Sequence, residues 1–129
     1  MRPPTWVRDD ERVRRTLLIV DDHAGFRSFA RALFEADGFD VVGEAADGKA
    51  AVEAVSALDP EVVLLDVALP DIDGFAVCDQ LTEHGNGPAV VMTSSRDVSS
   101  FRGLLEQSQA RGFIAKSDLS GVAVTELVG

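Results

Sequence analysis

Residues 61–74, EVVLLDVALPDIDG, constrain this chain more than any other stretch. Residues 62–65 are apolar on both alternations, so a strand made from them has no polar face to offer water. Such a run belongs in a parallel sheet covered by helices on both sides. It ends on Asp66, with Pro70, Asp73 and Gly74 marking a loop just beyond. That carboxylate then stands at the strand's C-terminal edge, where open α/β sheets build their sites. Taken alone, Asp66 is equally an acid entering a turn. A second apolar run, 17–20, ends the same way on Asp21-Asp22, and the repetition is what makes a site of it.

The remaining segments fit the same plan. Strands are expected over 16–20, 40–45, 62–65, 89–92 and 113–115. Between them, apolar residues recur at helical spacing. The first such stripe is Phe26, Phe29, Ala30, Leu33 and Phe34, closed by Gly38. The second is Ala50, Ala51, Ala54, Val55 and Leu58, ending before Pro60. The third is Phe75, Val77, Cys78 and Leu81, reaching about His84. The fourth, Val98, Phe101, Leu104 and Leu105, is expected over 98–109, and Ser120 caps a last helix over 121–128. Five strands alternating with five helices make a doubly wound α/β domain with right-handed crossovers. Residues 1–15, polar and with Pro3-Pro4 near the start, read as a flexible arm ahead of a domain over 16–129.

Charge and composition exclude several functions. The formal net charge is −10, and five Arg make the arm locally basic, so the domain itself is more acidic still. Such a body repels nucleic acid and anionic membranes. The single cysteine, Cys78, allows no disulfide within the chain and no cysteine-based zinc site. With no membrane-length apolar run and no signal-peptide core, cytoplasmic residence is the expectation.

All five strands of a parallel sheet end on one edge, and four of them bring polar groups there: Asp21 and Asp22, Asp66, Thr93 with Ser94, and Lys116. Each has an ordinary explanation as a helix-starting acid, a strand-end hydroxyl or a surface ammonium. Together their chemistry is complementary. Crowded carboxylates stay ionised only if a cation joins them, and oxygen ligands with room for water suit Mg²⁺ or Mn²⁺ better than zinc. A Lys and a hydroxyl aimed at the same place would hold a tetrahedral oxyanion. These are the parts of phosphoryl transfer to a carboxylate.

The motifs LLIVDDH (17–23), VVLLDVALPDIDG (62–74), VVMTSS (90–95) and GFIAKSDLS (112–120) resemble, in order, those of the receiver domains of two-component response regulators. The resemblance covers nearly everything but the arm. It implies a flavodoxin-like three-layer (βα)5 fold with a five-stranded parallel sheet in order 2-1-3-4-5. By position, Asp66 resembles the phosphoacceptor. Asp22 would meet Mg²⁺ (or Mn²⁺) directly, Asp21 mainly through water, and Ala68 through its carbonyl. Thr93 resembles the switch hydroxyl, Lys116 the phosphate-binding Lys and Phe113 the aromatic rotamer switch. The implied partners are a sensor histidine kinase or phosphotransfer protein, and downstream a protein partner or second copy bound through residues 98–128. The chain would be a signalling switch rather than an enzyme.

Three departures from the family pattern stand out. Ser117 replaces the Pro that most often follows the Lys in a cis linkage, an ending resembling receivers whose relatives carry helix-turn-helix output domains. Ala68 is small where Met or Asn is common. The last helix is about two turns, and no linker or output domain follows Gly129, so a stand-alone or an excised receiver is expected. Two rival readings are a degenerate receiver that binds partners without phosphorylation and a small Mg²⁺-dependent phosphatase with an Asp nucleophile. The phosphatase would need a general acid two residues past Asp66, where Ala68 stands.

Overall fold

The computed structural model describes residues 14–129. The arm expected over 1–15, and Trp6 with it, therefore lies outside the described residues except for Arg14 and Arg15.

The elements are β1 (Thr16–Val20), α1 (Ala24–Ala36), β2 (Asp40–Ala45), α2 (Gly48–Leu58), β3 (Val62–Asp66), α3 (Gly74–Thr82), β4 (Ala89–Ser94), α4 (Arg102–Gln107), β5 (Gly112–Ala115) and α5 (Gly121–Val128). Short 3-10 turns, Val98–Ser100 and Lys116–Asp118, precede α4 and follow β5. The sheet order is β2-β1-β3-β4-β5, parallel at every pairing. This is the flavodoxin-like arrangement that the motifs imply.

Alternate residues of the strands feed two cores. Leu17, Ile19, Leu64 and Val91 pack with Phe34 of α1 and Val124 of α5. Leu18, Val20, Val63, Leu65 and Met92 pack with Ala51 of α2 and with Val77 and Cys78 of α3. Both faces are dry, which is why β1 and β3 carry no polar alternation. Helix starts are set by short polar side chains: Asp47 accepts from Ala50 N, Asp73 from Phe75 N and Ser120 from Ala123 N. Gly38, with φ of 93°, closes the corner after α1 in the left-handed region.

Three helix expectations need correction. The third helix ends at Thr82, not near His84, because the chain turns at Gly85 with φ of 78°. The fourth is not one helix over 98–109. Asp97 accepts from Ser99 N and starts a separate 3-10 turn, and Phe101 then leaves helical geometry at φ −128° and ψ 8°. That break turns the Phe101 ring between Phe75 and Phe113, with centroids 6.2 and 6.1 Å away, while Leu104 of the expected stripe is left 51% exposed. In α1, Phe29 of the expected buried stripe is 57% exposed; Ala30 and Phe34 alone are fully buried.

Cys78 lies wholly inside the core, and burial, with the charge of Asp79, pushes its thiol up to about 11. The thiolate is the reactive form. A thiol reagent should therefore leave the native chain unmodified at pH 8 and label it fully in denaturant. As the chain has one cysteine, a colorimetric thiol assay reads this directly.

Candidate functional site

The site forms where β1, β3, β4 and β5 end together. The Asp21 N–H continues the ladder by donating to Ala45 O at 3.0 Å, so the Asp21 side chain is held at the edge and fully buried. Asp66, the last residue of β3, is 4% exposed. Its Oδ1 accepts from Ala68 N at 3.0 Å, which turns the carboxylate back over the loop that follows. Asp22 stands exposed beside them.

Lys116, directly after β5, joins the two buried acids. Its Nζ is 2.6 Å from Asp21 Oδ2 and 3.1 Å from Asp66 Oδ2, and it lies 4.3 Å from the centroid of the Phe26 ring. One ammonium thus faces two buried carboxylates and a third at the rim. Asp21 Oδ2, though ion-paired to Lys116, takes no well-aligned hydrogen bond.

Burial and the neighbouring Asp21 carboxyl push Asp66 up to about 6, against the Ala68 N–H and the Lys116 ammonium. Asp21 is driven the other way. Its burial is outweighed by the neighbouring Asp66 carboxyl, the Lys116 ammonium and the His23 backbone N–H, so its carboxyl stays below the usual range. Burial likewise opposes the charge on Lys116, but the two carboxylates outweigh it and hold the ammonium above its ordinary value. The pocket thus favours the neutral form of Asp66 and the charged form of Asp21.

Asp21, Asp22, Asp66 and Lys116 come together, with the backbone of Ala68 adjacent. Thr93 is at the same edge, paired with Asp66 across the β3–β4 ladder, but its hydroxyl donates to Ile114 O at 2.7 Å and is committed there. Phe113 stands in an aromatic row with Phe101. The Lys116–Ser117 peptide is trans, as is every peptide among the described residues.

Several contributors were not singled out from the sequence. His23 places Nδ1 3.2 Å from Asp21 Oδ1 and 3.0 Å from Asp22 Oδ1. Its adjacency to the acid pair was the signal available. Arg27 donates to Asp21 O at 2.7 Å and to Glu44 at 3.0 Å, fixing the end of β1. Asp71 accepts from Gly48 N at 2.7 Å and Lys49 N at 3.0 Å, pinning the loop after Asp66 to the start of α2. Gly74 lets α3 begin against that loop: a Cβ there would stand 2.2 Å from Asp66 O.

A family model for the response regulator receiver domain matches residues 17–122. The transcriptional regulatory protein PdtaR of Mycobacterium tuberculosis is 33% identical over 106 residues, covering 82% of this chain and 50% of that protein. A two-component response regulator of the LuxR family from Aurantimonas sp. superposes with a TM-score of 0.78 at 25% identity, over 88% of this chain and 81% of its own. A chain of the CheX-CheY-BeF3-Mg²⁺ complex of Borrelia burgdorferi gives 0.76 at 26% identity, over 95% and 92%. The chain spans about half or less of the length of the curated relatives it matches. The matched region runs from β1 into α5, and with the all-parallel order 2-1-3-4-5 it places this chain in the family of response regulator receiver domains.

Proposed function

We propose that this receiver domain takes a phosphoryl group on Asp66, from a sensor histidine kinase, a phosphotransfer protein or a small phosphodonor, and so switches a protein-binding surface. The supporting observation is the single Lys116 ammonium set between Asp66 at 3.1 Å and Asp21 at 2.6 Å. An Asp66 oxygen is the nucleophile; its new bond to phosphorus forms as the donor's phosphorus–nitrogen or phosphorus–oxygen bond breaks, and the donor keeps that electron pair. Lys116 neutralises a phosphoryl oxygen, and the Thr93 hydroxyl, exchanging Ile114 O for a phosphoryl oxygen, holds another.

The donor set fits a hard divalent cation. The carboxylates of Asp21, Asp22 and Asp66 cluster together against the one Lys116 ammonium, and the buried Asp21 Oδ2 lacks a hydrogen-bond partner. Asp22, Asp66 and the Ala68 carbonyl would hold Mg²⁺ or Mn²⁺, with Asp21 acting mainly through water. Bound there, the ion supplies charge neutralisation that lets an anionic donor approach anionic Asp66.

The test is intact mass after incubation with acetyl phosphate. One phosphoryl group should appear in Mg²⁺ and none in EDTA or in Asp66→Asn. Labelling that persists in EDTA, or in the Asn variant, overturns the reading. The degenerate-receiver reading would give no label in any arm.

Lifetime is a separate prediction. Ala68 is exposed and small beside Asp66, so little bulk obstructs water attacking in line. Ala68→Met should slow loss of the phosphoryl group several-fold, followed by the decay of the labelled mass.

The output follows from Thr93. When its hydroxyl leaves Ile114 O, the β4–β5 edge loosens next to Phe113, whose ring contacts Phe101 ahead of α4. Residues 98–128 are the surface offered to a downstream protein or a second copy, by a shift between existing states. We place the protein in the cytoplasm, in keeping with a kinase partner; among the described residues no helix is long and apolar enough to cross a membrane.

A further inference from the structure

We infer that His23 supplies a nitrogen ligand to the cation of this pocket, giving it a stronger preference for divalent transition ions such as Co²⁺ or Zn²⁺ over Mg²⁺ than its carboxylates alone would have. The inference rests on the reading of the pocket as a cation site and goes beyond it in naming a ligand and a metal class.

His23 is the residue before α1, in the extended geometry of a helix N-cap at φ −95° and ψ 110°. That position is favoured by side chains that accept from the free N–H groups of the first turn. The His23 side chain makes no such bond. Its own N–H donates to Asp21 Oδ1 at 2.8 Å, which fixes the residue against the acid pair. The ring then reaches both Asp21 and Asp22 through Nδ1, at 3.2 and 3.0 Å. It does so from the solvent side, at 73% exposure, so packing does not force it there. Independently, the wholly buried Asp21 Oδ2 still lacks a well-aligned hydrogen bond.

The geometry is that of a ligand ring. One atom from each of Asp21, Asp22, His23 and Asp66 lies within 4.8 Å of all the others. Ligands of one ion stand at most two bond lengths apart, about 4.2 Å for bonds near 2.1 Å. A few tenths of an ångström closes the ring. Three carboxylates alone make a hard site suited to Mg²⁺, which prefers oxygen and keeps its waters. An imidazole nitrogen changes the class, because later transition ions such as Co²⁺ and Zn²⁺ gain from it and Mg²⁺ does not. Binding through Nδ1 takes the tautomer of the neutral ring that carries its hydrogen on Nε2, which leaves the Nδ1 lone pair for the ion.

The experiment titrates Mg²⁺ and Co²⁺ separately into the full chain by calorimetry, for the wild type, His23→Ala and His84→Asn. These are the only two histidines, and the only cysteine is buried, so no other imidazole and no exposed thiol competes for Co²⁺. Since Co²⁺ outbinds Mg²⁺ even at oxygen sites, the reading is the change on substitution. His23→Ala should weaken Co²⁺ by about tenfold or more, the scale at which changes around a metal's ligands act. It should leave Mg²⁺ affinity where it was and alter the visible absorption of the Co²⁺ complex. His84→Asn should change none of these. Equal effects on both ions, or no effect on Co²⁺, overturn the role of His23 while the cation site stands. If the wild type binds neither ion, the cation reading itself falls. Circular dichroism of His23→Ala confirms that a change at this exposed side chain leaves the fold intact.

Discussion

Gly74→Ala should be among the most damaging single methyl groups that can be added to this chain. At Gly74 the helix α3 starts against the backbone that leaves Asp66, and its N–H donates to Val67 O at 2.8 Å. A Cβ would meet Asp66 O at 2.2 Å and both Val67 Cα and Val67 O at 2.8 Å. All three atoms are backbone, so no rotamer change relieves the contact. Either α3 lifts from the sheet and disturbs Phe75, Val77 and Cys78, or the Asp66 peptide rotates and carries its carboxylate away from Lys116. Overpacking of this kind costs about 3 kcal/mol or more, read as a fall in the urea midpoint. Gly25 and Gly103, both in helices, have nothing within 4 Å of the added atom. There the same substitution meets no clash and should leave the urea midpoint at or slightly above that of the wild type. A Gly74→Ala protein as stable as the wild type would mean that α3 is not seated on the Asp66 loop.

The strands and the site were legible in the sequence for the same reason. A strand buried on both faces must be continuously apolar, so residues 17–20 and 62–65 announce themselves, and the first polar residue after each run marks the site's edge. The order 2-1-3-4-5 came from the motifs; periodicity alone gives alternation of strands and helices but no neighbours. Helix faces were less legible. Phe29 and Leu104 have the spacing of buried residues, but which side of a helix meets the sheet is set by how the helix docks. The break at Phe101 is likewise tertiary, because it seats one ring between Phe75 and Phe113. Contacts made across the chain left only faint signals. His23 beside the acid pair was readable as chemistry. Phe26 under Lys116, and Asp71 at the start of α2, depend on loops whose paths the sequence does not specify.

Neutralising the phosphoacceptor should stabilise the metal-free fold even as it abolishes labelling. Asp66 is 4% exposed and its carboxyl is raised from 3.8 to about 6, first by burial and then by the Asp21 carboxyl. A carboxyl with a raised folded-state value makes the native state bind the extra proton. Below about pH 4 it is protonated folded or unfolded and costs nothing. As pH rises toward 6 the unfolded chain ionises freely while the folded one resists, and above 6 the full penalty is present. The raised value corresponds to at most about 3 kcal/mol, because Lys116 and the rim share the charge. Asp66→Asn should therefore exceed the wild type by about 1–3 kcal/mol at pH 7.5 without metal, with the gap closing toward pH 4. Adding Mg²⁺ should narrow the gap from the other side, since an ion that binds only the folded wild type stabilises it by mass action. Chemical denaturation at three pH values, with and without Mg²⁺, measures both slopes. If Asp66→Asn is less stable than the wild type at pH 7.5 in EDTA, the bonds to Ala68 N and Lys116 outweigh the burial of the charge. The pocket would then be a stabilising ion pair rather than a charge held ready for a cation.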